Sequence, residues 1–200
     1  MRFEDKLKYI RTINKPVTSD ALSQGHFPLL LNMRKGDVIS LEGKQYLVTD
    51  TLMFNFIPEG KSKGEGFGKW NEYRIISLDS FETFYLEVED DDGDHLCNLT
   101  IESIPQGRIQ EVSRGFSSDQ KNGAPNKIMI DGIEDAYYLD EIYQAISRNA
   151  EGKEDKVRMF DYKSEEDDLI SIEQWEDGKN YRVYRYRPVE LKDLEVTNYG

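Results

Sequence analysis

Apolar residues recur along this chain at two spacings, and where the spacing changes, the predicted element changes with it. Phe3, Leu7, Ile10 and Ile13 lie four, three and three apart, which gathers them on one face of a helix that Pro16 ends. After a polar connector containing Thr18, Ser19, Asp20 and Gly25, strand-like patterning sets in. Val38-Ile39-Ser40-Leu41, the turn Glu42-Gly43-Lys44, and Gln45-Tyr46-Leu47-Val48 predict a β-hairpin, with Gly43 supplying the positive φ such turns often require. A further strand is expected over Leu52 to Ile57. Gly60 to Lys69 holds four glycines, too much backbone freedom for a regular element, and reads as a flexible hairpin loop. Trp70 to Leu78 and Phe81 to Glu89 are aromatic and β-branched and predict two more strands, followed by the acidic turn Asp90-Asp91-Asp92-Gly93-Asp94.

The middle, residues 113–126, is poor in apolar positions and rich in Gly, Ser, Asn and Pro, as a linker or long loop would be. Beyond it, Leu139, Ile142, Tyr143 and Ile146 fall at i, i+3, i+4 and i+7, a helix that Asn149 and Gly152 would close. Strands resume at Val157 to Tyr162, Leu169 to Trp175 and Tyr181 to Tyr186. The second half resembles the first. A shift of 84 residues (158 − 74) superposes Arg74 on Arg158, Ser80 on Ser164, Glu82 on Glu166 and Glu89 on Glu173, with apolar falling on apolar between them. An internal repeat would explain this; any two amphipathic hairpins with acidic turns would also show some of it. The expected fold is therefore mainly β, a β-rich α+β chain of two similar small twisted sheets or partly closed barrels. Residues 1–34 carry the N-terminal helix and connector, 35–112 the first half, 113–126 the linker, and 127–200 the second half with one helix.

Charge narrows the range of partners. With 39 Asp plus Glu against 26 Lys plus Arg the formal net charge is −13, which disfavours double-stranded nucleic acid, whose binders need surplus cations. Mean hydropathy is −0.71, yet 12 Tyr, 9 Phe and 2 Trp are core formers that disordered chains lack. The single cysteine, Cys97, cannot form an intramolecular disulfide, and the N-terminal residues contain no apolar stretch of signal-peptide length, so a cytoplasmic location is expected. The longest compact apolar run, residues 27–31, is far short of the ~20 residues a spanning helix needs.

Several clusters invite chemistry, and each meets a plainer alternative. Asp90, Asp91, Asp92 and Asp94 with Glu87 and Glu89 offer oxygen ligands for a divalent cation, but with Gly93 at the sixth position of a calcium loop Val88 and Leu99 stand where acids are demanded. A solvated hairpin tip is the simpler account. Asp94, His95 and Cys97 are too few for zinc, whose sites want four ligands, and His26 is the only other histidine. Cys97 as a nucleophile would have His95 near it with no third group to orient the pair. Gly64, Gly66 and Gly68 lack the spacing of a phosphate loop. Glu89 and Glu173 could form an acid/base pair like that of a glycosidase if the halves brought them face to face; otherwise they are polar residues on outer strand faces. Residues 181–187 interleave Tyr with Arg as single-strand nucleic-acid platforms do, but residues 151–177 hold eleven acids and four bases, so these arginines are expected to pair with acidic neighbours in the same protein or with a partner's carboxylates. Lys6, Lys8, Arg11 and Lys15 on the N-terminal helix would suit an anionic membrane surface, although an apolar stripe usually faces its own core.

The order of the motifs is similar to that of a bacterial family, the domain of unknown function numbered 4178. The resemblance rests on residues 35–38 (KGDV), 42–48 (EGKQYLV), 70–73 (WNEY), 86–89 (LEVE) and 169–175 (LISIEQW), and extends over about residues 35–195. It implies a β-rich accessory protein, encoded near membrane-stress and polyamine-related genes, with no catalytic residues to carry over. Taken together, the expectation is a non-catalytic binding or accessory protein without a cofactor, acting through an acidic surface on a protein partner or a cationic small molecule. An enzyme with a carboxylate site between the halves and a membrane-surface adaptor are the alternatives.

Overall fold

The chain enters its sheet through a turn of two residues. Strand β1 (Val38–Leu41) pairs antiparallel with β2 (Lys44–Ile57), with Leu41 opposite Lys44. Glu42 and Gly43 between them have φ of 51° and 76°, the doubly left-handed conformation that matches the twist of a tight hairpin. The computed structural model describes residues 27–57, 68–91, 94–110, 124–166, 168–175 and 181–197. The helix expected over Phe3 to Ile13, most of the glycine-rich loop, and nearly all of the expected linker lie outside them.

Beyond the first hairpin the strands are β3 (Lys69–Ser77), β4 (Thr83–Asp91), β5 (Asp94–Ser103), β6 (Ile109–Gln110), β7 (Lys127–Ile130), β8 (Ala136–Asn149), β9 (Glu154–Lys163), β10 (Leu169–Trp175), β11 (Tyr181–Pro188) and β12 (Leu194–Thr197). They form one antiparallel sheet in the order β12-β1-β2-β3-β4-β5-β11-β10-β9-β8-β7-β6, and β2 also pairs with β8. That last pairing closes β2, β3, β4, β5, β11, β10, β9 and β8 into an eight-stranded barrel. Exchanging β1–β6 for β7–β12 gives the same order read backwards, so the two runs of strands are placed alike. They make one continuous sheet, where the sequence pattern suggested two separate ones.

Apolar side chains collect in three clusters among the described residues. The first joins Ile39, Val48, Tyr73, Ile75, Leu86, Val88, Cys97 and Leu99 with Leu194 of β12. The second joins Tyr137, Phe160, Tyr162, Ile170, Ile172 and Val183 with Ile109 of β6 and Ile128 and Ile130 of β7. Each therefore packs on the outer face of the barrel wall under two extra strands, β1 with β12 or β7 with β6. The third, Phe54, Trp70, Ala145, Val157 and Met159, lies on the opposite, inner face.

Two bulges let the long strands β2 and β8 serve both faces. Register shifts between Val48 and Asp50 on β2, and between Leu139 and Glu141 on β8. One extra residue reverses which alternate positions point inward. On β8 this overturns the helix expected over Leu139 to Ile146. Leu139 before the bulge and Ile142 after it join the second outer cluster, while Tyr143 and Ala145 face the third. Apolar residues on both faces of a bulged strand imitate a helical period. The only α-helical residues described are the single turn Phe27–Leu30, which places Leu30 against the first cluster.

Candidate functional site

On β3, β4, β5, β9, β10 and β11, the positions that point away from the outer clusters are largely polar. Glu72 follows Trp70 by two residues, Glu87 and Glu89 flank Val88, Asp161 follows Met159, Glu173 lies between Ser171 and Trp175, and Tyr186 follows Tyr184. Because the wall is closed, these positions meet inside it. β4 stands across the barrel from β9 and β10, yet Asp161 and Glu173 both act on the carboxyl of Glu87. Apolar side chains fill the interior near the β2–β8 seam, and carboxyl groups gather in the remainder.

A cavity of about 430 Å³ opens among them, lined by residues of both runs of strands. Its acidic lining comprises Glu87 and Glu89 from β4, Asp140 and Glu141 from β8, and Asp161 from β9. Phe56, Trp70 and Tyr143 form an aromatic wall, with Tyr143 5.4 Å from Phe56 and 5.9 Å from Trp70 between ring centroids. At the more exposed rim Lys163 is paired with Asp140 at 2.6 Å. Deeper in, the Tyr143 hydroxyl donates to Asp161 Oδ2 at 2.9 Å, and the Trp175 indole donates to Glu173 Oε2 at 2.8 Å.

Burial shifts the proton affinities of this group upward. Loss of hydration, followed by repulsion from Asp161 and Glu173, pushes Glu87 to about 8 against the relief given by Asn98 and Tyr186. The same desolvation raises Glu173 to about 7, opposed by the Trp175 indole and the Arg182 charge. Asp161 rises to about 6, held back by Ser171 and Tyr143. Glu72, only 5% exposed, rises well above the ordinary range through desolvation and the nearness of Glu173 and Glu87. Tyr186 sits among Glu72, Glu87 and Glu173, close enough to steady the first two. Its hydroxyl approaches Thr100 as well as these carboxyl groups without completing a well-formed hydrogen bond, and Ser171 Oγ stands the same way beside Asp161.

The residues singled out from sequence fall in different places. Glu89 lines the cavity and Glu173 is buried beside Glu72, so both belong to the interior instead of an outer face. Asp90 stands at the β4–β5 hairpin, 3.6 Å from His95 Nδ1; Asp92 and the side chain of Asp94 lie outside the described residues. No three His, Cys, Asp or Glu among the described residues are placed to share a metal ion. Cys97 is buried in the first outer cluster, where desolvation pushes its thiol up to about 12 and leaves it unreactive. Two arginines of β11 pair with acids as expected, Arg185 with Asp168 and Arg187 with Glu42 at 2.8 Å, whereas Arg182 lies 4.6 Å from the Trp175 ring centroid. Sequence reading missed Glu72, Asp161, Tyr143 and Tyr186. The signal for Glu72, Asp161 and Tyr186 was a polar residue sharing alternation with Trp70, Met159 or Tyr184 on strands whose other face carries buried apolar residues of the outer clusters.

The fold and the site together define an antiparallel β-barrel protein with an acid-lined cavity in its interior. Residues 34–191 match the family described as a domain of unknown function (DUF4178), and the chain belongs to that family, the one its strand-and-turn motifs resemble. The match takes in every strand of the closed barrel. No curated protein matches the chain, and no solved structure does.

Proposed function

We propose that this protein is a non-catalytic binding protein that holds an organic cation in its barrel cavity. The observation that carries the reading is the convergence of five acidic side chains, drawn from both runs of strands, on one cavity whose lining includes a single lysine already paired at the rim. Carboxyl groups spread over opposite walls suit a ligand that extends across the space better than a single metal ion. The aromatic wall of Phe56, Trp70 and Tyr143 offers contact to methylene groups and to positive charge together.

A thermal-shift panel of putrescine, spermidine, calcium, magnesium, zinc, nucleotides and sugars tests it. An organic amine at about 100 times its dissociation constant should add about 2.7 kcal/mol of stability and raise the melting temperature by a few degrees. The shift should persist at physiological salt and vanish in Asp161→Asn. Stabilisation by divalent ions alone, or by none of these compounds, would sink the reading. A second reading, an enzyme working by acid/base chemistry, draws support from Glu87 and Asp161, whose proton affinities are driven apart within one cavity. Stabilisation by a sugar, with turnover lost in Glu87→Gln, would favour it.

A further inference from the structure

The carboxyl groups in and behind the cavity wall have too little positive charge around them to be ionised together; Glu87 and Asp161 line the cavity, and Glu72 and Glu173 are buried beside them. Glu72 comes from β3, Glu87 from β4, Asp161 from β9 and Glu173 from β10. Facing them are Asn98 and Thr100 from β5, Glu141 and Tyr143 from β8, and Tyr184, Tyr186 and Arg182 from β11; β2 contributes Phe54 and Phe56. Glu89, Asp140 and Lys163 complete the charged groups of the rim. Arg182 is the cation that acts on Glu72 and Glu173, and its own side chain is exposed. Like charges held together in a poorly hydrated space keep protons instead of ionising.

A second feature points to an occupant. Tyr186, 2% exposed, and Ser171, 7% exposed, both line the cavity, and their hydroxyl groups stand beside Glu72, Glu87 and Asp161 without completing a well-formed hydrogen bond. Buried polar groups are normally satisfied, so these two keep hydrogen-bonding capacity for an ionised carboxylate or for an atom that occupies the cavity.

We propose that the empty cavity stores protons on its buried carboxyl groups and takes up its organic cation in exchange for them. This rests on the cation-binding reading. Each positive charge that enters allows one carboxyl to ionise and release its proton to solvent, so the charge of the cavity is the same full as empty. Tyr186 and Ser171 then gain partners on the ligand or on the newly ionised carboxylates. The upward shifts of Glu87 to about 8 and Glu173 to about 7 place the exchange near neutral pH.

Infrared spectroscopy of the empty protein and calorimetry with putrescine, whose amines stay protonated near neutral pH, test this together. The empty protein at neutral pH should show the carbonyl stretch of protonated carboxyl groups, weakened in Glu87→Gln and, as a second variant, in Glu173→Gln. Putrescine should remove that signal. Its binding heat should differ between Tris and phosphate buffers by the released protons, and its affinity should rise up to about tenfold per pH unit for each proton exchanged. Absence of the signal from the empty protein would overturn the inference whatever binds. Binding with equal heats in both buffers and no pH dependence would overturn it while leaving the cation reading intact. A signal that is present with no binding of putrescine or spermidine would sink the cation reading, and the exchange with it.

Discussion

Along β4, Leu86 and Val88 alternate with Glu87 and Glu89, and the two pairs live in different media. The leucine and valine are packed in an outer cluster beneath β1 and β12, whereas the glutamates line a cavity, where desolvation pushes the carboxyl of Glu87 up. The contrast holds around the wall: Phe160 and Tyr162 against Asp161, Ile170 and Ile172 against Ser171 and Glu173. One side of the sheet stabilises the fold by removing apolar area from water; the other gives up stability to keep acids inside. The lesson is that alternation names two faces but does not say which of them water reaches.

The largest effect should come from the side that stabilises. Phe160→Ala, at a fully buried position of the second outer cluster, should cost about 3–5 kcal/mol in urea unfolding, from lost burial plus the cavity left behind. A loss under 1 kcal/mol would mean that the outer clusters are not the true cores. Next comes pH. Glu87 keeps its proton to about 8 when folded but follows the ordinary glutamate range, near 4.5, when unfolded. Between these values the unfolded chain binds fewer protons, so the contribution of this group is full at low pH and is lost as pH rises toward 8. Glu87→Gln, which cannot ionise, should be the more stable protein at pH 8 by a few kcal/mol, with the difference shrinking toward pH 5. Equal stability across that range would show that the glutamate is hydrated after all. The smallest effect belongs to the rim, where Lys163→Ala breaks the half-exposed pair with Asp140 and should cost under about 1 kcal/mol, less in high salt.

Much of the strand content was legible because strands with buried apolar residues at alternate positions advertise themselves. Val38–Leu41 and Leu169–Trp175 were legible to the residue, and β3, β4, β9 and β11 to within a few. β8 was misread because its bulge at Asp140 moves the apolar set from one parity to the other, a shift that appears in sequence as helical spacing. β5 was passed over although Leu96, Cys97 and Leu99 lie in it, since its start at Asp94 continues an acidic run that reads as a turn. The two serines that end β3 and follow β9, Ser77 and Ser164, each accept turn amides through Oγ and are 87 residues apart (164 − 77), so the shift of 84 aligned hairpins out of structural register. The site was half visible. Glu89 and Glu173 were picked out for their spacing, but whether a polar face is inside or outside depends on closure through β2–β8, a pairing of residues some 90 positions apart that leaves no local trace.

The exchange of terminal strands bears on how the chain is made. β12 seals the first outer cluster by pairing with β1, and Val38 meets Thr197 across 159 intervening steps of sequence (197 − 38). During synthesis β1 and the Phe27–Leu30 turn can cover the outer face of the first five strands early, but the cover is completed only when Leu194 and its strand have emerged. Contacts this distant in sequence are slow to form and leave sticky surface exposed meanwhile. A folding rate limited by the arrival of β12 is the expected cost of a barrel whose two runs of strands lend each other their ends.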